Sequence, residues 1–193
     1  MSEKKQHLQQ QRTIHVRNMV CHCCIYVLRN ELGMDGVQID DIRMGRITLT
    51  INPTKISWKK IESILEQFGF EIIQDKEKIL IEQIKQAIIE LVHYSTYNAM
   101  VRNSDYLVER FNMSYPYLSS LFSKHEQITL EKFIILQKIE KVKELINYGD
   151  LSLSEIAYMM GYSSVQYLST QFKAITGISV TEYKINSSPD RNP

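Results

Sequence analysis

The chain has 193 residues, 44% of them hydrophobic and 23% charged, and its 23 Lys and Arg nearly balance 22 Asp and Glu for a formal net charge of +1. These proportions fit one or two globular domains and exclude collagen-like, disordered and membrane-spanning classes, because no apolar run approaches the ~20 residues that a transmembrane helix needs. The balance of charge does not by itself announce a nucleic-acid binder. Three cysteines, Cys21, Cys23 and Cys24, crowd into four positions. Such spacing and an odd count do not make a disulfide framework. Met1 to Thr13 is polar and has no apolar core of the secretory kind. The expectation is a cytoplasmic protein with reduced thiols.

In chain order, Thr13 to Arg17 alternates apolar and polar residues, the period of a strand with one buried face. Ile25, Leu28 and Leu32 recur at helical spacing and predict a helix over about 24–32, closed by Gly33. Val37 to Ile42 and Ile47 to Ile51 alternate again around Arg43-Met44-Gly45-Arg46, which predicts a hairpin. Beyond the break at Asn52-Pro53, Ser57 is placed to cap a second helix with Ile61, Ile64, Leu65 and Phe68 on one face. Gly69 ends that helix, and Phe70 to Ile73 is short and extended. The order over residues 13–73 is βαββαβ, an α+β unit of the ferredoxin-like kind. A unit of about 60 residues is only marginally stable alone.

Met19-Val20-Cys21-His22-Cys23-Cys24 falls between the first strand and the first helix. Cys21 and Cys24 form a Cys-x-x-Cys pair at a helix start, where the N-terminus favours thiolate. Two close soft thiolates suit Cu(I), with Zn(II) as competitor. Zinc wants four ligands and would recruit His22, Cys23 or a second molecule. Residues 13–73 resemble the heavy-metal-associated domain of copper chaperones and metal-pump tails. The match is Met-x-Cys-x-x-Cys at Met19, Cys21 and Cys24 in the corresponding loop, with Phe68-Gly69-Phe70 similar to the family's late Gly-aromatic segment. Asn18 stands where that family usually has Gly, and Cys23 within the motif is unusual, either a third ligand or an inward-facing core residue. The resemblance implies Met19 as a hydrophobic prop. Three readings of the pair stay open: a soft-metal site, a former metal fold kept for packing or dimerisation, and a dithiol redox switch. His15 reads as a solvated strand residue, and His7, His93 and His125 show no ligand spacing.

From Asp75 to about His93 a helix carries Ile81, Ile84, Ile88 and Leu91 on one side, and residues 74–101 read as a connector. Residues 102–185 then read as an all-α block. The polar stretch 186–193, with two prolines, reads as a disordered tail.

The helical block repeats itself. Leu107-Val108-Glu109-Arg110-Phe111-Asn112-Met113-Ser114 matches Ile156-Ala157-Tyr158-Met159-Met160-Gly161-Tyr162-Ser163. After one inserted residue, Tyr117 to Phe122 matches Tyr167 to Phe172. Asn112 and Gly161 are the types that tolerate the left-handed conformation of an interhelical turn. Ser114 and Ser163 follow as expected caps, Asn103 and Ser152 cap the preceding helices, and Ser152-Leu153-Ser154-Glu155 is a capping box. Val108 and Ala157 read as the small positions where paired helices approach. Each copy is a helix-turn-helix. A linking helix of about Thr129 to Ile146 spans roughly 27 Å, and its Phe133, Ile139, Val142 and Ile146 brace the two copies. One DNA turn is about 34 Å, so two recognition helices held in this way reach successive major grooves.

Residues from about Asn103 to Tyr183 resemble the DNA-binding domain of the AraC family of bacterial transcription regulators. Ser154 to Ser164, Tyr167 to Lys173 and Thr176 to Tyr183 carry the likeness. The family often has Arg at the position of Thr170, Pro at Val180, and Arg and Ala at Lys138 and Val142. The first departure removes an expected DNA contact, and the others read as structural. Residues 102–193 hold ten basic and ten acidic side chains, yet no acid occurs from Phe111 to His125 or from Ile156 to Thr181. Phosphate meets no repulsion from these windows, which contain both recognition helices. Candidate contacts in the first copy are Ser114, Tyr115, Pro116, Ser120 and Lys124; in the second they are Ser163, Ser164, Gln166, Thr170 and Lys173. Gln166 is suited to bidentate readout of adenine, while the lysines, hydroxyls and helix N-termini suit phosphate. Leu118, Phe122, Leu168 and Phe172 read as core, with Tyr117 and Tyr167 partly so.

The combined expectation is a regulator that binds double-stranded DNA and responds to Cu(I), with a homodimer and the transcription machinery as further partners and no membrane. The alternatives are a metal-trafficking protein with a helical appendage, and a DNA-binding regulator whose first domain makes only protein contacts. Nothing reads as an enzyme: there is no Gly-rich phosphate loop, paired catalytic carboxylate or nucleophile motif beyond the cysteines.

Overall fold

A computed structural model describes residues 9–94 and 102–187. The chain divides into two units, Met1–Gln86 and Ala87–Pro193. Among the described residues no helix is long and apolar enough to cross a membrane.

The first unit runs β1 (Gln10–Arg17), α1 (His22–Leu32), β2 (Val37–Arg43), β3 (Arg46–Ile51), α2 (Trp58–Gln67) and β4 (Glu71–Ile73). α3 (Lys76–Ile89) follows. The four strands form one sheet in the order β2-β3-β1-β4, and every pairing is antiparallel. The register sets Ile14 against Ile47, Ile42 against Ile47 and Val16 against Ile72. Alternation in β1 and β3 therefore sends Val16, Ile47 and Leu49 into one core with Leu28 and Leu32 of α1 and Ile61, Ile64 and Leu65 of α2. β1 starts three residues before Thr13. Gln10 to Arg12 are polar and carry no apolar alternation, but they pair with Leu49 to Ile51 of β3. Trp58 donates from Nε1 to Gln10 at 3.1 Å, and the Arg12 guanidinium lies 4.9 Å over the Trp58 ring.

Two details differ from expectation here. Phe68 follows the last residue of α2 and is exposed rather than on its buried face. Gly33 ends α1 with negative φ, and its small size is needed because a Cβ there would stand 2.9 Å from the Arg29 carbonyl oxygen.

In the second unit a π-helical turn, Glu90–Tyr94, interrupts the regular helix expected to His93. The described residues then hold α4 (Asn103–Phe111), α5 (Tyr115–Glu126), α6 (Leu130–Tyr148), α7 (Leu153–Met159), α8 (Val165–Thr176) and α9 (Val180–Ser187). Part of the connector, 95–101, and residues 188–193 of the tail lie outside the described residues, whereas 186 and 187 belong to α9.

The repeat extends into a third helix. α4-α5-α6 and α7-α8-α9 bury Leu107 and Ile156, Leu118 and Leu168, Phe122 and Phe172, and Leu130 and Val180 at matching positions. Gln127 and Gly177 both turn the chain with left-handed φ, at 59° and 80°. Phe122 packs on Phe133 with ring centres 5.3 Å apart, and Phe172 packs on Tyr183 at 5.4 Å. α6 has 19 residues and spans about 28 Å. Its Ile139, Val142 and Ile146 join the core of the second triplet with Ile156, Ala157, Leu168 and Phe172. Thr129 caps it by accepting the Lys132 N–H at 3.1 Å.

Three expectations within the repeat are corrected. Val108 is exposed, so it is not the counterpart of buried Ala157 at a helix crossing. Arg102, not Asn103, precedes the first helical residue of α4 and makes no side-chain cap; Asn103 lies inside the helix with a buried, unpartnered Oδ1. The cap of α8 is Ser164 rather than Ser163, because the inserted residue falls within the turn after Gly161.

Candidate nucleic-acid interface and cysteine turn

The two helix-turn-helix copies begin their second helices differently. Ser114 precedes α5 without a side-chain cap, whereas the Ser164 hydroxyl accepts the Tyr167 N–H at 3.1 Å. Along α5, Pro116, Ser120 and Lys124 recur every four residues, so they share one face, and all three are exposed. Gln166, Thr170 and Lys173 of α8, spaced by four and then three residues, also share an exposed face, with Ser163 and Ser164 exposed at its start and Ser114 at the start of α5.

Tyr115 is the exception. It is half-buried, and its hydroxyl donates to Glu131 Oε1 at 2.7 Å. Burial and then the bond to Glu131 push its phenol above the ordinary range. Its O–H is therefore engaged by α6 and is not offered to a base. The same contact carries an acid from outside the acid-free window to the start of α5. Thr170 spends its proton on the Gln166 carbonyl at 2.9 Å, which leaves its oxygen as an acceptor.

Tyr117 and Tyr167, which the sequence places partly in the core, are each 50% exposed. They occupy equivalent positions beside the exposed faces, and Tyr167 accepts from Gln171 at 3.0 Å. The shared offset of the two tyrosines was the available signal for this pair.

Lys138 works within the second triplet. Its ammonium donates to the Met160 carbonyl at 2.8 Å, 5.6 Å from the Tyr162 ring, and burial lowers its pKa. It thus satisfies a carbonyl at the end of α7. Burial also pushes the Tyr162 phenol up to about 12. The capping box of α7 is complete: Ser152 N–H donates to Glu155 at 2.7 Å, and Glu155 N–H donates to Ser152 Oγ at 3.3 Å. A second box, Ser179 with Glu182, opens α9. Bonds from these serines hold both carboxyls below their usual range.

In the first unit, Cys21 is the N-cap of α1 and Cys24 lies in its first turn, with the Cys24 N–H on the Cys21 carbonyl at 3.1 Å. Their sulfurs are 3.8 Å apart. Cys23 is exposed, which removes its inward-facing reading. Asn18 adopts φ 72°, the conformation a Gly would take, and its amide donates to the Gly69 carbonyl at 2.9 Å. Met19 is fully buried, with its sulfur receiving the Gly45 N–H at 3.2 Å. Burial pushes the Cys21 thiol up, but the backbone and thiol groups of Cys24 and then Cys23 outweigh it, and the net pKa is lowered.

The spacing and the number of donors favour different metals. A tetrahedral zinc with Zn–S bonds of about 2.3 Å separates two sulfurs by about 3.8 Å, close to the observed spacing. Yet among the described residues no group of three His, Cys, Asp or Glu is assembled, so His22 and Cys23 do not complete a four-ligand site here. Two thiols alone fit a soft ion content with two ligands.

Residues 107–185 match the protein-family model described as Helix-turn-helix domain. That match spans both helical triplets and includes the motif of Ser154 to Tyr183, which defines the region as a helix-turn-helix domain. Among curated proteins, the chain is similar to the Msm operon regulatory protein of Streptococcus mutans, at 23% identity over 130 residues covering 66% of this chain and 45% of that protein. It is also similar to the Xylose operon regulatory protein of Escherichia coli K12, at 30% identity over 103 residues covering 52% of this chain and 26% of that one. The chain thus spans less than half the length of these relatives. Among solved structures, the C-terminal domain of AraT, a response regulator from Geobacillus stearothermophilus, superposes with a TM-score of 0.51 at 22% identity, covering 62% of this chain and 95% of that domain. That likeness is one of fold.

Proposed function

We propose that the protein is a sequence-specific DNA-binding transcription regulator, acting in the cytoplasm, whose α5 and α8 enter successive major grooves. The observation that carries this reading is the doubled helical triplet, with Pro116, Ser120 and Lys124 exposed on one copy and Gln166, Thr170 and Lys173 on the other. The bridging α6, about 28 Å long, is comparable to a DNA turn of about 34 Å. The relatives' names, both operon regulatory proteins, agree with the class. In this reading Gln166 specifies a base, and Lys124, Lys173, Ser114, Ser163 and the helix N-termini hold phosphates.

The first unit, in the same proposal, is a ferredoxin-like domain of the heavy-metal-associated kind. Cys21 and Cys24 hold a soft ion, Cu(I) in preference to Zn(II), and the bound ion alters DNA affinity. For that to work the ion must bind the two functional states differently. Residues 74–101 connect this domain to 102–185.

The test is selection of genomic DNA by the purified protein with and without Cu(I). A defined operator set that changes with Cu(I) is expected; no sequence preference overturns the regulator, and the same set with identical affinities while Cu(I) is bound overturns sensing. On a selected site, Gln166→Ala should weaken specific binding by about 1–3 kcal/mol and spare scrambled DNA. Equal loss on both removes Gln166 from base readout.

A second reading keeps the DNA role and makes the first unit a surface for a second copy or the transcription machinery. Val20 and Tyr26, apolar and exposed beside the cysteine turn at 65% and 69%, favour it. It requires Cys21→Ser with Cys24→Ser to leave regulation intact.

A further inference from the structure

Glu82 and Gln86 are the only buried polar or charged side chains among the described residues. They lie one turn apart on α3, on the same face. Both reach the segment that leads into the cysteine turn. Glu82 is 3.5 Å from the guanidinium of Arg17, the last residue of β1, and is also paired with Lys85. Gln86 donates from Nε2 to the carbonyl of Met19 at 2.5 Å, two residues before Cys21. Its Cγ lies 3.6 Å from where a Cβ on Gly45 would stand, and the Gly45 N–H meets the Met19 sulfur. Met19 is thus held at both ends, by side chain and by carbonyl. The other half of the Gln86 amide, Oε1, is buried without a partner. A buried acceptor left unpaired is uncommon in folded proteins and calls for a reason.

We infer that Gln86 is the positioning residue of the cysteine turn: it fixes the Met19 carbonyl so that Cys21 and Cys24 present their thiols together, and it registers on α3 any change that a bound ion makes in that turn. This rests on the soft-metal reading of Cys21 and Cys24. Nothing in the heavy-metal motif itself includes Gln86, which lies 62 residues beyond Cys24 on a helix after the last strand.

The experiment measures Cu(I) affinity of the full chain against a chromogenic chelator under reducing, oxygen-free conditions. Gln86→Met keeps the length of the side chain and removes the donor. Gln83→Met, on the exposed side of the same helix, is the control. Loss of one positioning hydrogen bond should weaken Cu(I) binding roughly 2- to 10-fold in Q86M and leave Q83M unchanged. A lower melting temperature with unaltered affinity in Q86M marks a merely structural residue and overturns the inference, leaving the metal reading in place. Absence of Cu(I) binding by the unsubstituted protein overturns the metal reading, and this inference with it. Should Q86M fail to fold, the side-chain amide resonances of Gln86 and Gln83 in the unsubstituted protein decide. Displacement of the Gln86 signal alone on Cu(I) addition supports the assignment, and an unmoved signal overturns it.

Discussion

Ser163 and Ser164 are adjacent hydroxyls with different physical roles. Only Ser164 accepts a backbone N–H of α8, that of Tyr167. Ser164→Ala should therefore cost about 1 kcal/mol of stability. Ser163→Ala should stay within about 0.5 kcal/mol, and thermal or urea unfolding separates them. Equal effects would show that the cap is not where the helix places it. From the sequence, Ser163 looked like the cap because Gly161 and Ser163 repeat the spacing of Asn112 and Ser114. A Ser-Ser pair conceals an insertion of one residue. Tyr115 taught the complementary lesson. Its partner Glu131 sits in the next helix, so an acid-free window counted along the chain could not reveal a carboxylate beside it. Asn18 was the reverse case: the residue that departs from the metal-domain pattern accepts left-handed φ, because Asn tolerates it, and its side chain adds a bond to Gly69.

The elements of the first unit were readable because burial of one strand face writes a period of two, as in Ile47, Leu49 and Ile51. Where side chains are polar, as at Gln10 to Arg12, backbone pairing extends a strand without leaving that mark. That the third helix of each triplet belongs to the repeat was not legible, for another reason. Leu130 and Val180, or Phe133 and Tyr183, share a packing role without sharing identity. α6 is the element on which the second triplet closes. Ile139, fully buried in that shared core, should lose about 2–5 kcal/mol on substitution by Ala, read from denaturant midpoints. A loss below about 1 kcal/mol would mean that α6 merely lies against the triplet.

Over the whole chain the net charge of +1 hides a local arrangement. The exposed cations on the candidate faces are Lys124 and Lys173, one for each triplet. If each neutralises a phosphate, Lys124→Ala and Lys173→Ala should each reduce the slope of log affinity against log salt by about 1. Specific and scrambled duplexes should shift alike. An unchanged slope removes that lysine from the phosphate set. Low overall charge also implies a modest non-specific term, so that discrimination falls to the few groups facing the bases.

The two triplets share a fold but not a surface. Pro116 and Ser120 on one correspond to Gln166 and Thr170 on the other. A symmetric dimer reads its palindrome identically from either end. A lone chain with unlike halves acquires heading on the duplex, much as an arrow differs from a rod. On the regulatory reading, inverting its binding sequence would turn the pair of triplets about, and the copy that carries Gln166 would then lie upstream where it had lain downstream.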